Sequence, residues 1–477
     1  VARHAMMRVL SVASECAPLV KTGGLADVAG ALPGALAGQG VDMRVLLPGY
    51  KPVMAALDAP IELTRVDDLF GASAQVLAQT AKGVPVLVLD APHLYERDHG
   101  IYLDGNGQDW ADNPQRFAAL SLVAARIARD GLGDWRPDVV HGHDWQAGFA
   151  PYYLHKLRVG VPSVMTIHNI AFAGHADPGM MGELLLDPAD YTPEGFEFWG
   201  RVSSLKAGLN YCDKITTVSP TYARELTTDT FGMGFEGLIR ARQDDLTGIL
   251  NGIDLAVWDP ANDTVAPHYK SLKGKEKAKK ALRAKMGLPD ADGPLAVVVS
   301  RLTEQKGLDL TLDGLEPFLS DGGQIALLGS GASELERAWE FAAARHDGLA
   351  VRIGYDEDLA HLLIAGGDAV LVPSRFEPCG LTQLYGLRYG TIPVVANTGG
   401  LADTVIDAND AAVKVGVCTG IMHTAGRGDA TAHAMKRLLD LYADRDTWSK
   451  MVKNAMRHPV GWDSSAAEYA ALYRSLI

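Results

Sequence analysis

With 477 residues, 47% of them hydrophobic and 21% charged, the chain has the make-up of a globular protein, enough for roughly two to four domains. Its formal net charge of −14 argues against a general nucleic-acid or anionic-membrane partner, because either needs a basic face; an anionic ligand has to be held locally. Cys16, Cys212, Cys379 and Cys418 are too scattered for a disulfide framework or a zinc site and fit a reducing cytoplasm, and neither a secretory signal nor an apolar run of about 18 residues is found.

In chain order, an apolar run over 9–13 reads as a strand. Lys21-Thr22-Gly23-Gly24-Leu25-Ala26-Asp27 follows it, and then Leu25, Val28, Leu32 and Leu36 recur at helical spacing. Strand, glycine turn and helix start together suit an anion: adjacent glycines let a ligand approach the backbone, the first-turn N–H groups lack helical partners, and Lys21 adds a charge. The alternative is a tight turn with no ligand. The glycine spacing matches neither the dinucleotide fingerprint nor a P-loop. The sequence TGGLAD at 22–27 recurs at 398–403, again just after an apolar run. Two halves that each present such a loop would clamp one anionic ligand between them.

Further apolar strands are expected at 43–47, 84–89, 138–141, 163–168 and 214–218, with a helix over 114–128. Strands alternating with helices imply a parallel sheet covered on both faces. The stretch between His168 and Tyr211, rich in glycine and proline, reads as a helical excursion with loops. From Trp258 to Pro294 the prolines and the lysine run beginning at Lys273 read as a linker entering a solvated helix. Five Val/Ile/Leu-rich strands follow at 295–300, 324–329, 350–353, 369–373 and 392–396, as expected of strands buried on both faces. The span 462–476 reads as a closing helix that packs back on the first domain.

The strand ends hold the chemistry. After the strands of the first half come Lys21, Gly23 and Gly24, then His141-Gly142-His143-Asp144-Trp145, then His168-Asn169. In the second half come Arg301 and Lys306, Gly354-Tyr355, Ser374-Arg375-Phe376-Glu377-Pro378-Cys379-Gly380, and Gly399-Gly400. Ligands of doubly wound sheets bind at the carboxyl ends of the strands. Taken singly, each has two readings. Arg301 and Lys306 form surface ion pairs or hold a distal phosphate. Asp144 caps a helix or meets a ligand. Glu377 complements a helix dipole or contacts substrate. Tyr355 covers a core or stacks on a base. His141, His143 and His168 form a trio without the helical spacing of a metal pair, and Asp356-Glu357-Asp358 reads as a helix first turn before it reads as a metal motif.

Taken together, the KTGGLADV sequence at 21–28, His143-Asp144-Trp145, Thr166-Ile167-His168-Asn169, Asn251-Gly252-Ile253-Asp254, Ser300-Arg301-Leu302 with Lys306-Gly307, and the stretch 373–383 resemble the bacterial glycogen synthases, whose motifs the starch synthases share. The resemblance runs in order from Met7 almost to the end. It implies an α/β protein of GT-B type, two doubly wound Rossmann-like domains facing across a deep cleft: 1–255 on the glucan side, 256–455 on the nucleotide-sugar side, and 456–477 returning to the first. It implies retaining transfer of glucose from ADP-glucose to the non-reducing end of an α-1,4-glucan, with no metal and no other cofactor. By the same resemblance Lys21, Gly23 and Gly24 contact the diphosphate, Arg301 and Lys306 its distal phosphate, and Glu377 the glucose hydroxyls. His168 lies near the 6-hydroxyl and reacting centre, Asp144 and Asn251 in the sugar pocket, and Tyr355 against adenine. Thr382, Gly399 and Gly400 supply further phosphate donors, and Asp27, Cys379 and Gly380 count among the substrate-binding positions. Asn397 departs from the basic residue the family often has there. Adenine rather than uracil rests on the resemblance alone.

Overall fold

The computed structural model describes residues 6–477. The chain forms two compact units; the first ends at Asn251 and takes up Trp462–Ile477, and the second is Gly252–Gly461. The first holds β1 (Met7–Val12), β2 (Val41–Pro48), β3 (Ile61–Leu69), β4 (Ala72–Ala81), β5 (Val84–Asp90), β6 (Val139–His143), β7 (Ser163–Ile167), β8 (His175–Ala176), β9 (Glu197–Phe198), β10 (Arg201–Ser203), β11 (Lys214–Thr217) and β12 (Leu246–Gly248). Nine of them form one sheet in the order β12-β11-β7-β6-β1-β2-β5-β4-β3. The sheet is parallel from β12 through β5. Both its faces are covered. Val28, Leu32 and Leu36 of the helix Gly24–Ala37 pack with Val9, Met43 and Val139 on one face, together with Tyr469 and Tyr473 of the helix Asp463–Arg474. Leu10, Val12 and Leu46 meet the helix Asn113–Asp130 on the other, through Phe117 and Leu120.

Two expectations are corrected here. The sheet is not wholly parallel: β3 pairs antiparallel with β4, and β4 with β5. The outermost strand, sequence IELTRVDDL, is mostly exposed, so its side chains follow the solvent and give no apolar run; charge on an edge strand also discourages pairing with another chain. The excursion after His168 ends in a helix, Ser204–Tyr211, as expected, but the part before it carries the small antiparallel sheet β8-β10-β9 and short 3-10 turns, where helix was also expected.

The second unit holds β13 (Leu295–Val299), β14 (Gln324–Gly329), β15 (Leu349–Ile353), β16 (Ala369–Val372), β17 (Ile392–Ala396) and β18 (Ile421–His423), parallel throughout in the order β15-β14-β13-β16-β17-β18. The stretch read as a linker belongs to its core. Trp258 is stacked between His361 and Tyr385, with ring centroids 3.9 and 3.8 Å away, and Asp263 accepts from Tyr389 Oη and bonds to His361 Nδ1. The lysine run is not wholly solvated either. On the helix Leu272–Met286, Lys275 and Lys279 are one turn apart and both buried. Lys279 pairs with Asp368 at 2.7 Å, and Lys275 donates to Ala365 O (2.7 Å) and Thr391 Oγ1 (2.6 Å). Burial without a carboxylate partner of its own brings the Lys275 ammonium down to about 7.

Candidate active site

Along the parallel strands of each sheet the order reverses once. The first reverses between β1 and β6, the second between β13 and β16, and the loops leaving these strands diverge there to leave a crevice. In the first unit the loop after β1 is organised by Glu15, a buried carboxylate that sequence inspection passed over. It accepts from the amides of Thr22 and Gly23, from Thr22 Oγ1 (2.6 Å) and from Tyr102 Oη (2.6 Å). The Gly23 amide, expected to face a phosphate, is therefore held by the protein's own anion, as is its neighbour at Thr22. The N–H groups of Gly24 and Leu25, at the start of the helix, make no hydrogen bond among the described residues. Lys21 lies 2.9 Å from Asp27 and is nearly half exposed. The signal for Glu15 was a carboxylate placed directly after a buried strand. Tyr102 gave none, since its loop is remote in sequence.

The ends of β6 and β7 form a buried polar cluster. His143 Nε2 lies 3.1 Å from Ser11 Oγ, and His143 Nδ1 lies 3.0 Å from His168 Nε2. His141 bonds through Nδ1 to Tyr473 Oη (2.7 Å) and through Nε2 to Thr166 Oγ1 (2.6 Å). Burial disfavours the charged rings: His143 is brought down to about 3, and His141 and His168 fall well below the usual histidine range. Asp144 has a left-handed backbone, φ 55°, which costs a non-glycine residue roughly 1–3 kcal/mol. It does not cap the turn that follows. Its Oδ1 accepts from the amides of His168 (2.6 Å) and Asn169 (3.4 Å), and burial pushes the carboxyl up to about 7 against the opposing pull of those bonds. Asn251, where the first unit ends, has a buried side-chain oxygen that finds no partner among the described residues.

In the second unit Lys306 and Glu377 form an ion pair of 2.6 Å, and Ser374 Oγ donates to the same carboxylate oxygen at 2.9 Å. Glu377 is buried. Arg301 is exposed, and its guanidinium makes neither a hydrogen bond nor an ion pair among the described residues. Arg375, in the loop that carries Glu377, has a structural partner in Asp309, held by two bonds of 2.8 and 2.6 Å. Cys379 is buried, Gly380 has φ 75°, and Thr382 opens the helix Thr382–Tyr389. Tyr355 covers no core: it is 84% exposed and donates to Glu357. Asp356 caps the helix Glu357–Gly366 by accepting from Leu359 N, as the first-turn reading of the acidic run required.

The two TGGLAD copies are physically different. A Cβ added at Gly23 or Gly24 would meet nothing within 4 Å, whereas one at Gly399 would lie 1.8 Å from Glu377 O and one at Gly400 2.3 Å from Cys379 O. Gly400 N donates to Glu377 O (3.2 Å) and Pro378 O (3.1 Å). The second copy needs glycine because two loops of the same unit cross in contact, and its Gly400 amide serves the 377–380 loop. Packing makes no such demand on the first.

Two α/β units, each built on a largely parallel sheet with polar and charged residues at its strand ends, define a glycosyltransferase of the GT-B class. Residues 8–241 match the family model described as starch synthase catalytic domain, and residues 279–456 match glycosyl transferases group 1. The chain is 57% identical to a glycogen synthase of Jannaschia sp. (strain CCS1) over 98% of its length and 99% of the relative's. It is 56% identical to that of Paracoccus denitrificans (strain Pd 1222), covering 99% of this chain and 100% of the relative. Its fold superposes on the catalytic domain of starch synthase IV from Arabidopsis thaliana bound to ADP and acarbose, with a TM-score of 0.87, 30% identity and 99% of each chain covered. The chain belongs to the glycogen synthase family.

Proposed function

We propose that this protein moves glucose from ADP-glucose to the 4-hydroxyl at the non-reducing end of an α-1,4-glucan, with retention of configuration. The observation that carries the reading is the Lys306–Glu377 pair at the reversal point of the second sheet, a cation suited to a leaving phosphate beside a buried carboxylate suited to sugar hydroxyls. Charge builds on the diphosphate as the glycosidic bond breaks, so fixed cations and unpaired helix-start amides stabilise the leaving group. Lys21, Arg301 and Lys306 serve that purpose together with the Gly23–Gly24 turn and Thr382, and no metal is needed in this reading. Gly380, Cys379, Gly399 and Gly400 shape the loop that carries Glu377, and Asp27 orients Lys21. His168, Asp144 and Asn251 attend the sugar, and the exposed Tyr355 ring stacks on adenine.

Retention follows from displacement on one face of the sugar. The anomeric carbon–phosphate oxygen bond breaks, the bond to the acceptor O4 forms, and the acceptor's proton passes to the departing phosphate. A trapped glucosyl adduct on Asp144 or Glu377 would exclude this route. The protein acts in the cytoplasm, a location that suits the four buried free cysteines. Among the described residues no helix is long and apolar enough to cross a membrane. The test is incorporation of labelled glucose into glycogen from ADP-glucose or UDP-glucose, with and without chelator. ADP-glucose is expected to label the glucan with chelator present; turnover that proceeds without any glucan would refute the assignment.

A further inference from the structure

The strand-end cluster of the first unit holds a hydrogen-bond chain whose direction is fixed by its buried end. Ser11 on β1, His143 on β6 and His168 just past β7 fall on one face of the sheet: Ser11 stands opposite His141, two residues before His143, and His143 stands opposite Thr166, two residues before His168. Ser11 and His143 are fully buried. The single hydrogen-bond partner of the Ser11 hydroxyl among the described residues is His143 Nε2, at 3.1 Å. A buried hydroxyl whose hydrogen finds no acceptor costs about 1–3 kcal/mol, so Ser11 donates and His143 Nε2 accepts. A neutral His143 then carries its hydrogen on Nδ1. It points that hydrogen at His168 Nε2, 3.0 Å away, which must accept. The hydrogen of a neutral His168 is left on Nδ1, an atom with no hydrogen bond among the described residues. His141 does not compete, because both its nitrogens are engaged by Tyr473 and Thr166. Asp144 holds the backbone of His168 from the other side, accepting its amide at 2.6 Å.

We infer that Ser11 and His143 are positioning residues that fix His168 as a hydrogen-bond donor through Nδ1, so that it donates to an oxygen of the bound sugar and does not serve as a base. The tautomer follows from the protein's own bonds; its use on a sugar rests on the function proposed above. The reverse chain, with His168 Nε2 donating, would turn the outer nitrogen into an acceptor and strand the Ser11 hydrogen.

Two-bond proton–nitrogen correlation spectra of the full chain labelled with [15N]histidine, recorded without substrate and assigned with His143→Gln and His168→Gln, read the tautomers directly. The expected pattern is a protonated Nδ1 on both His143 and His168; a protonated Nε2 on His168 overturns the inference. Ser11→Ala should mix or invert the pattern at both rings and lower kcat about tenfold with a smaller change in KM, and Ser11→Thr should restore it. An unchanged pattern in Ser11→Ala would remove Ser11 from its role. An active enzyme with the opposite tautomer refutes this inference alone. An inactive protein with Nδ1 protonated refutes the proposed function and leaves the tautomer assignment standing.

Discussion

Lys306 Nζ and Glu377 Oε2 lie 2.6 Å apart at the point where the second sheet reverses its strand order, and the carboxylate also takes the Ser374 hydroxyl. The pair is asymmetric, with Glu377 the more buried partner. Lys306→Ala should therefore strand a buried carboxylate and lower the stability of the unit by about 3 kcal/mol, while Glu377→Gln keeps an acceptor for Ser374 and costs less. Both should reduce kcat by a factor on the order of 100 or more. Chemical denaturation alongside steady-state transfer assays checks both halves; a Glu377→Gln enzyme with near-normal turnover would contradict the assignment.

The glycine pairs predict opposite phenotypes for one chemical change. Gly400→Ala forces a Cβ to 2.3 Å from the Cys379 carbonyl, so the second unit should lose stability by about 2 kcal/mol or more, and activity with it. Gly24→Ala meets no protein atom and opens a helix, so stability should hold or rise by about 0.5–1 kcal/mol. Its cost should fall on donor binding, seen as a higher KM for ADP-glucose in a protein with an undiminished melting temperature.

Asp144 makes stability depend on pH with a definite sign. Burial raises its carboxyl to about 7 in the folded state against 3.8 for a free aspartate, so between those values the folded state holds a proton that the unfolded chain has released. Stability from this residue is present below the lower value and is lost as pH rises to the upper one. Asp144→Asn should remove that loss, so its melting temperature relative to the parent should climb from pH 4 to pH 7. His143 and His168 act the other way: their lowered values destabilise the fold as pH drops below about 6.5. The comparison with Asp144→Asn isolates the carboxyl, and a constant gap across the range would mean it does not titrate there.

Glu15 should behave as a structural anion. Replacing it with Ala frees two amides and two hydroxyls at once, and the Lys21–Gly24 loop should lose order, raising the KM for ADP-glucose about tenfold or more. Tyr102→Phe removes one of those contacts and should show a fraction of the effect. Titration of each variant with ADP, followed by calorimetry, separates a binding defect from a catalytic one.

Much of this architecture could be read from the residues. Val297, Leu327 and Val395 sit in strands buried on both faces, and such strands write themselves as apolar runs. Strand-end residues were legible for the same reason, since polarity begins where the run stops. Ile61–Leu69 was not legible because an exposed edge strand answers to solvent. Lys275 and Lys279 misled because charge usually marks a surface, and only the carbonyls and carboxylate that receive them, far off in sequence, explain their burial. Within the site, Glu377 and His168 were visible as chemistry, but the roles of Ser11 and Glu15 depend on partners the linear order does not bring near. The identical TGGLAD pairs looked equivalent because letters do not record whether another loop lies against them.

Tyr473 ties the last turns of the chain to His141, and Trp462–Ile477 completes a core that begins at Met7. Synthesis runs in the opposite sense to completion: the half that leaves the ribosome earliest has to wait, one hydrophobic wall missing, until the whole of the other half has been translated. A fragment that stops at Asn251 would stay in that waiting state, and fusing the closing sixteen residues to it should be what lets it mature.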